Sequence, residues 1–396
     1  MSLLPVAEAQ ARLLALADPV AVETASLADA AGRWAASDIP ANRTQPFADL
    51  SAMDGYAVRF ADLPGPLSVV MESSAGGVMP PPLAPGEAAR IFTGAPLPVG
   101  ADVILVQEDA HRTGNSVIMR GDGAGRAGRH IRPRGSDFTA GNTIIAAGDA
   151  LTPAAIALAA AARHAVLPVR RHVRIALIST GNELVAPGAD ASPEALPASN
   201  APMLAALLGN AATEIRDLGI APDDLDAIRA RIATAVEAGA DIIITTGGAS
   251  VGDHDLTRPA FEAAGAQLDF WKVAMRPGKP IMAGRLGNAI VLGLPGNPVS
   301  AFVTALLFAR PLVARLGGAR DALPTPRTAI LAAPLPANGS RAQYLRGAHS
   351  GGGVIALASQ DSAGLSALAQ ATLLIVRPAN APPATPGDPV EIIDIA

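Results

Sequence analysis

The sequence predicts a multidomain α/β chain: a central doubly wound αβα sandwich, an N-terminal helical and linker region, a small inserted β domain and a C-terminal β-barrel domain. Three observations carry this expectation. From Val173 onward, short β-branched runs alternate with helical runs, the rhythm of a sheet covered by helices. Between Leu67 and Arg120, short alternating runs are separated by Gly and Pro, the signature of small antiparallel strands. Beyond a Gly-, Pro- and Thr-rich stretch at 317–326, further short strand patterns recur between turns, as in a small barrel. At 396 residues the chain is too long for a single core.

The elements follow in order. Residues 3–17 read as a helix with Pro5 in its first turn, and a short helix follows at 26–31, ended by Gly32. Residues 40–50 read as irregular, followed by the run 51–59. Strands are expected at 67–72, 88–92, 103–107 and 116–120. In the run 128–137, Arg129, Arg132 and Arg134 cluster near Asp137, which fits a solvated loop or an anion-facing one. A helix is expected at 153–163. The α/β section then places strands at 173–179, 213–218, 241–244, 267–273, 281–283 and 289–294. Helices are expected at 201–209, with Asn200 as N-cap, from Asp223 and Asp224 to 238, at 256–264 and at 299–316. The last strands are expected at 329–335, 344–347, 354–358, 373–377 and 390–395. The expected division is 1–42 with 128–170, 43–127, 171–322 and 323–396.

Composition narrows the function. The chain is 50% hydrophobic but only 3% aromatic, with a formal charge of −5 and no basic tail, so a nucleic-acid partner is not expected. Mean hydropathy is +0.32, yet the apolar stretch 151–169 is broken by Arg163 and His164, and 299–316 by Arg310, Pro311 and Arg315. Neither reaches the ~20 uninterrupted apolar residues of a membrane span, and no signal peptide is evident, so a cytoplasmic protein is expected. With no cysteine, disulfides, thiolate metal sites and thiol catalysis are excluded.

Polar groups gather at the expected strand ends. A buried-strand run ends at Thr245-Thr246-Gly247-Gly248 and is followed by Ser250, Asp253 and Asp255. Paired glycines there admit a ligand close to the backbone, or form a tight βα turn. Parallel strands bring their carboxyl ends to one edge, so Glu183, Asp223, Asp255, Lys272, Arg276 and Lys279 should face one cleft. Acids and cations together point to an anionic ligand with a divalent cation. In Leu294-Pro295-Gly296-Asn297-Pro298, Asn297 fits an N-cap and Pro298 the first helical position, with Ser300 in the first turn. That is an oxyanion site or an ordinary cap. The six histidines, His254 among them, show no metal-ligand spacing.

Seven motifs occur in a fixed order: Ser51-Ala-Met-Asp-Gly-Tyr-Ala57, Thr93-Gly-Ala-Pro96, Arg132 to Asp137, Ser179-Thr-Gly-Asn-Glu183, Thr246-Gly-Gly-Ala-Ser-Val-Gly252 with Asp255, Pro277-Gly-Lys-Pro280 and Leu294 to Ser300. Together they resemble the molybdopterin molybdenumtransferase family, to which the E domain of gephyrin is related. The resemblance covers nearly the whole chain. It implies a homodimer of four-domain subunits that inserts molybdenum from molybdate into adenylylated molybdopterin, releasing AMP with the help of Mg2+. The cleft would lie between the α/β domain of one subunit and the 51–56 segment of the other.

The resemblance further implies roles for individual residues. Asp54, Thr93, Arg132, Asp137, Glu183, Asp255, Lys272 and Lys279 would be catalytic, and Asp54, Glu183, Asp223 and Asp255 would hold the cation. Gly247, Gly248, Ser250, Asp223 and Pro295, Gly296, Asn297 and Pro298 would bind the pterin substrate. Arg276, Lys279, Ser300, Arg346 and Ser362 would receive molybdate, a tetrahedral dianion suited to cationic and hydroxyl donors. Arg276 stands where many relatives have Lys, Asn182 replaces an acid, and the 360–366 segment is only loosely similar. An upstream adenylyltransferase and recipient molybdoenzymes would be partners. Two other functions share part of the pattern: a molybdopterin adenylyltransferase, and a non-catalytic dimeric scaffold of gephyrin type.

Overall fold

The structure, a computed structural model, describes residues 3–190, 192–248 and 256–395. The chain groups into two units, residues 1–37, 147–152 and 168–396 in the larger and 38–146 and 153–167 in the smaller.

The larger unit is built on a six-stranded sheet. Its strands are β1 (Val173–Thr180), β2 (Thr213–Ala221), β3 (Ile242–Thr246), β4 (Gln267–Lys272), β5 (Pro280–Leu286) and β6 (Ala289–Leu294), in the order β2-β1-β3-β6-β5-β4. The pairs β1–β2, β1–β3 and β3–β6 are parallel, whereas β5 is antiparallel to both neighbours. The sheet is therefore mixed, with β5 alone reversed, and β4 still ends at the same edge as β1, β3 and β6.

The two-residue period of a strand sends successive side chains to opposite faces. Ile175 and Leu177 of β1 join a cluster with Leu204 of α2 (Asn200–Leu208) and Val303 and Leu307 of α5 (Pro298–Leu316). Ala176 and Ile178 join another with Ile228 and Ile232 of α3 (Leu225–Glu237) and Phe261 of α4 (Thr257–Ala263). A strand covered on both faces needs apolar residues throughout, and every residue of β3 is buried.

Helix α5 is apolar and long enough to cross a membrane by composition alone, but 78% of it is buried inside the protein, as in a core helix. It passes through Pro311 by way of a π turn at Ala305–Ala309. Pro311 has no N–H to return to the Leu307 carbonyl four residues back. The Gln10 side chain of α1 (Val6–Ala15) donates to that carbonyl instead, at 2.8 Å.

A second sheet follows, from β7 (Arg327–Ile330), β8 (Ala342–Ser350), β9 (Gly353–Ala356), β10 (Leu373–Arg377) and β11 (Pro389–Asp394), in the order β8-β10-β11-β7 with β9 on β8. An isolated bridge between Leu331 and Val354 brings β9 back to the end of β7. The short strand Met275–Arg276 pairs with Ala342 and Gln343 of β8. Tyr344, Leu374 and Ile393 share the cluster that contains α5, while Leu331, Leu345, Leu373, Ile375 and Ile392 form a core of their own.

In the smaller unit a six-stranded sheet runs Val103–Val106, Gly55–Val58, Glu87–Ile91, Leu67–Ser73, Ser116–Met119, Ala110–Thr113. The strand Gly55–Val58, not anticipated from sequence, is wholly buried in this sheet. Gly55 is needed there: a Cβ would meet the Leu105 carbonyl oxygen at 2.1 Å. The 40–50 segment, expected to be irregular, contributes short strands that pair with Thr143–Ile145 and Ile131–Arg132. The apolar stretch 151–169 splits into a helix (Pro153–Ala161) and a strand (Val166–Arg170) around Arg163, which has φ 70°.

Candidate functional site

Strands β1, β3 and β6 deliver Thr180, Thr246 and Leu294 to one edge, and a cleft of about 770 Å3 opens there. Thr180, Glu183, Asn200, Asp223, Gly247, Gly248 and the Pro295–Pro298 loop line it. The structure thus brings together Glu183, Asp223, both glycines and the four loop residues singled out in the sequence. Ser250 and Asp255 lie outside the described residues.

Of the two roles open to the glycines, the geometry carries the tight βα turn. At Gly247 (φ 93°) a Cβ would stand 2.4 Å from the Thr180 carbonyl oxygen. At Gly248 (φ 59°) it would stand 2.2 Å from Thr257 Oγ1. The close approach is made by the protein's own backbone and threonines, and it lets the loop close against β1. Asn200, expected as an N-cap, is the first residue of α2, and its Nδ2 donates to the Gly296 carbonyl at 2.7 Å, holding the opposite loop.

On the acidic wall, Asn182 N–H donates to Asp223 Oδ2 at 3.2 Å and Asp223 N–H to Asn182 Oδ1 at 3.0 Å. The pair locks two loops from adjacent strands. The helix cap of α3 is Asp224, which accepts from Ala227 N–H, so Asp223 is not used as the cap.

A second cavity, about 360 Å3, adjoins the first, since Pro280 lines both. Arg276, Lys279, Ser300 and Ser362 meet in it, together with Arg341, Gln343, Tyr344, Gln360 and Asp361. Arg341, Gln343 and Tyr344 were missed in the sequence. Burial pushes the Tyr344 phenol up to about 12, so it remains a proton donor at neutral pH.

Two expectations change here. Asn297 stands at the N-cap position but does not cap its own helix; its Nδ2 donates to Ser362 Oγ at 3.2 Å. Val299 N–H donates to the Ser362 carbonyl at 3.0 Å, so that helix donor is already engaged. Arg346, expected to touch the anion, is 1% exposed. Its Nη1 donates to the carbonyls of Asp361 and Gly364 and its Nη2 to that of Ser359. It folds the 359–364 loop and thereby positions Ser362. Burial pushes its pKa down, but a guanidinium still carries its charge. Lys272, at the end of β4, lines neither cavity; its carbonyl accepts from Leu4 N–H.

In the smaller unit, Asp54 Oδ1 accepts from Thr93 N–H at 2.7 Å and from Thr93 Oγ1 at 2.9 Å. The backbone bond first, then the hydroxyl, then the Arg90 charge hold the Asp54 carboxyl below its usual value. Arg90 lies 4.7 Å from the Phe92 ring centre and 5.2 Å from that of Tyr56. Ile131 pairs with Ser51 and Arg132 with Leu50, setting Arg132 beside the 51–56 segment. Asp137 is exposed, and its N–H donates to the Gln45 carbonyl. Among the described residues, no three His, Asp or Glu side chains converge on a cation site.

Three protein-family models match the chain in succession: the MoeA N-terminal region (domain I and II) over residues 4–162, a probable molybdopterin binding domain over 176–315 and the MoeA C-terminal region (domain IV) over 328–395. Molybdopterin molybdenumtransferase 2 of Mycobacterium tuberculosis H37Rv is 36% identical over 386 residues, covering 94% of this chain and 95% of that protein. Molybdopterin molybdenumtransferase of Synechococcus elongatus is 35% identical over 388 residues, covering 94% of each. The crystal structure of the molybdopterin biosynthesis moeA protein from Pyrococcus horikoshii OT3 superimposes with a TM-score of 0.84 at 26% identity, covering 99% of this chain and 100% of that one.

Proposed function

This chain belongs to the molybdopterin molybdenumtransferase family, and from that premise we propose how its two adjoining cavities divide the reaction. It is a transferase of molybdenum cofactor biosynthesis that inserts molybdenum into molybdopterin. The form that enters is adenylylated molybdopterin, its phosphates in the cleft of Glu183, Asp223, Gly247 and Gly248. Molybdate enters the smaller cavity, where Arg276, Arg341 and Lys279 supply charge and Ser300, Ser362 and Tyr344 supply hydroxyl donors. The supporting observation is Pro280, the wall common to both cavities. A pterin lying across it presents its dithiolene to the oxyanion and its phosphates to the acids. Cleavage of the phosphoanhydride, with oxygen from water or molybdate, then releases AMP. The chain's part is orientation and charge neutralisation.

A divalent cation, Mg2+, fits the donor set. Glu183 and Asp223 are hard oxygen donors on one cleft, and Mg2+ commonly takes one or two carboxylates with substrate phosphates. Bound there, it would neutralise phosphate charge. We read the larger unit's sheet, helix-covered on both faces, as an αβα sandwich and the bridged C-terminal sheet as a small barrel. The reaction is assigned to the cytoplasm. We also propose a homodimer in which a second copy brings Asp54, Thr93, Arg132 and Asp137 to the cleft, with an adenylyltransferase upstream and molybdoenzymes downstream.

The division of labour is tested by AMP release from adenylylated molybdopterin. Lys279→Ala should raise the molybdate concentration needed by about tenfold or more and leave pterin affinity nearly unchanged. Glu183→Gln should lower turnover without changing the molybdate requirement. If both variants shift both parameters alike, the two-cavity reading is wrong.

A further inference from the structure

The smaller unit carries a concavity of about 600 Å3 lined by Arg43, Thr44, Phe47, Arg134 and Arg163. Its lining has three guanidiniums and no acid. Among the described residues, none of the three arginines has a carboxylate within 4 Å. Arg43 and Arg134 use Nε on the carbonyls of Thr44 and Phe47. Their terminal nitrogens have no acceptor among the described residues, and neither does the Arg163 guanidinium. The Asp49 carboxylate accepts the Arg134 backbone N–H and so fixes the turn.

The walls are pre-organised. Gln45 N–H donates to the Phe138 carbonyl, Asp137 N–H to that of Gln45, and Gly135 N–H to that of Pro46. Ala140 N–H donates to Thr44 Oγ1 at 3.1 Å, and Asn42 N–H to the Ala162 carbonyl. Three separate stretches, 42–47, 134–140 and 162–163, are thus tied together around the concavity. Arg163 is also held at φ 70°, where glycine is the low-strain residue. The position therefore keeps a long cationic side chain at a backbone cost. Phe47 is 50% exposed beside these charges.

We propose that this concavity binds a phosphate monoester carrying a flat ring. Converging guanidiniums repel one another and bind a phosphate dianion in fork geometry. An exposed aromatic ring beside them stacks on a planar group, and the volume falls within the usual range for small-molecule sites. None of its lining residues lines either of the larger unit's two cavities.

The test is calorimetric titration of the full-length protein with phenyl phosphate, inorganic phosphate and phenol. Phenyl phosphate should bind more tightly than inorganic phosphate, and phenol should not bind. Arg163→Gly should weaken phenyl phosphate about tenfold while its melting temperature stays the same or rises, because glycine relieves the backbone. Arg43→Gln should weaken it similarly, and Phe47→Ala should remove the preference over inorganic phosphate. Molybdenum insertion should be unchanged in Arg163→Gly. The proposal is overturned if Arg163→Gly and Arg43→Gln bind phenyl phosphate like the wild type, or if binding is lost only in Lys279→Ala. It is equally overturned if the arginine variants change the oligomeric state without changing phosphate binding.

Discussion

Asp54 illustrates how one residue's charge state is fixed locally. Its folded pKa is depressed, so whatever it contributes to stability is present above the unfolded carboxylate value and is lost as pH falls through the lower folded one. Thr93→Val removes the hydroxyl but keeps the backbone donor, the larger cause. The carboxyl titration, followed by NMR, should rise only part of the way back toward 3.8, and a full return would contradict the ordering of causes. Gln10 is a second local device. Gln10→Ala removes the donor that serves the Leu307 carbonyl opposite Pro311, and urea unfolding should register a loss of ~1–3 kcal/mol. Neither contact was legible in the sequence. Gln10 and Leu307 are 297 positions apart, and nothing around Pro311 says which side chain answers it.

At the scale of elements, the strand ends show what glycine is for. Gly247 and Gly265 share φ 93°, but only Gly247 has a carbonyl oxygen where a Cβ would go. Gly265→Ala should cost ~1 kcal/mol from backbone strain alone. Gly247→Ala should cost at least ~2 kcal/mol more by thermal melting, since the Thr180 backbone must move. Equal losses would mean that the close approach does not matter. Strands β1, β3 and β6 were legible because burial on both faces demands nearly unbroken apolar runs. Gly55–Val58 was not, because a four-residue strand containing Gly and Ala gives almost no periodic signal. Arg346 was readable as an anion contact for a related reason. A buried arginine and a ligand-facing one look alike until the carbonyls of Ser359, Asp361 and Gly364 fold back on it. Arg341, Gln343 and Tyr344 were hidden by distance: their place in the smaller cavity follows from the pairing of Met275–Arg276 with β8.

On the scale of the whole molecule, the candidate catalytic residues are divided between two units, Asp54 and Thr93 in the smaller and Glu183 and Lys279 in the larger. If two copies share a site, Asp54→Ala and Glu183→Gln chains, each strongly impaired alone, should recover AMP release when co-expressed, because mixed dimers contain one intact cleft. Absence of recovery, with mixed dimers verified by mass, would refute the shared cleft. The motif order in the sequence singles out candidate residues, but linear order carries no information on which copy delivers them.

The contact between Gln10 and Leu307, with the neighbouring bridge of Leu4 to Val273, also sets a timetable. During synthesis α1 emerges long before these partners, Gln10 and Leu307 being 297 positions apart. The smaller unit's six-stranded sheet needs only residues 55–119 and can pair as soon as they appear. The larger unit's helix must meanwhile wait with Leu13 and its apolar neighbours uncovered, which makes its late, long-range closure the slow and aggregation-exposed stage of folding.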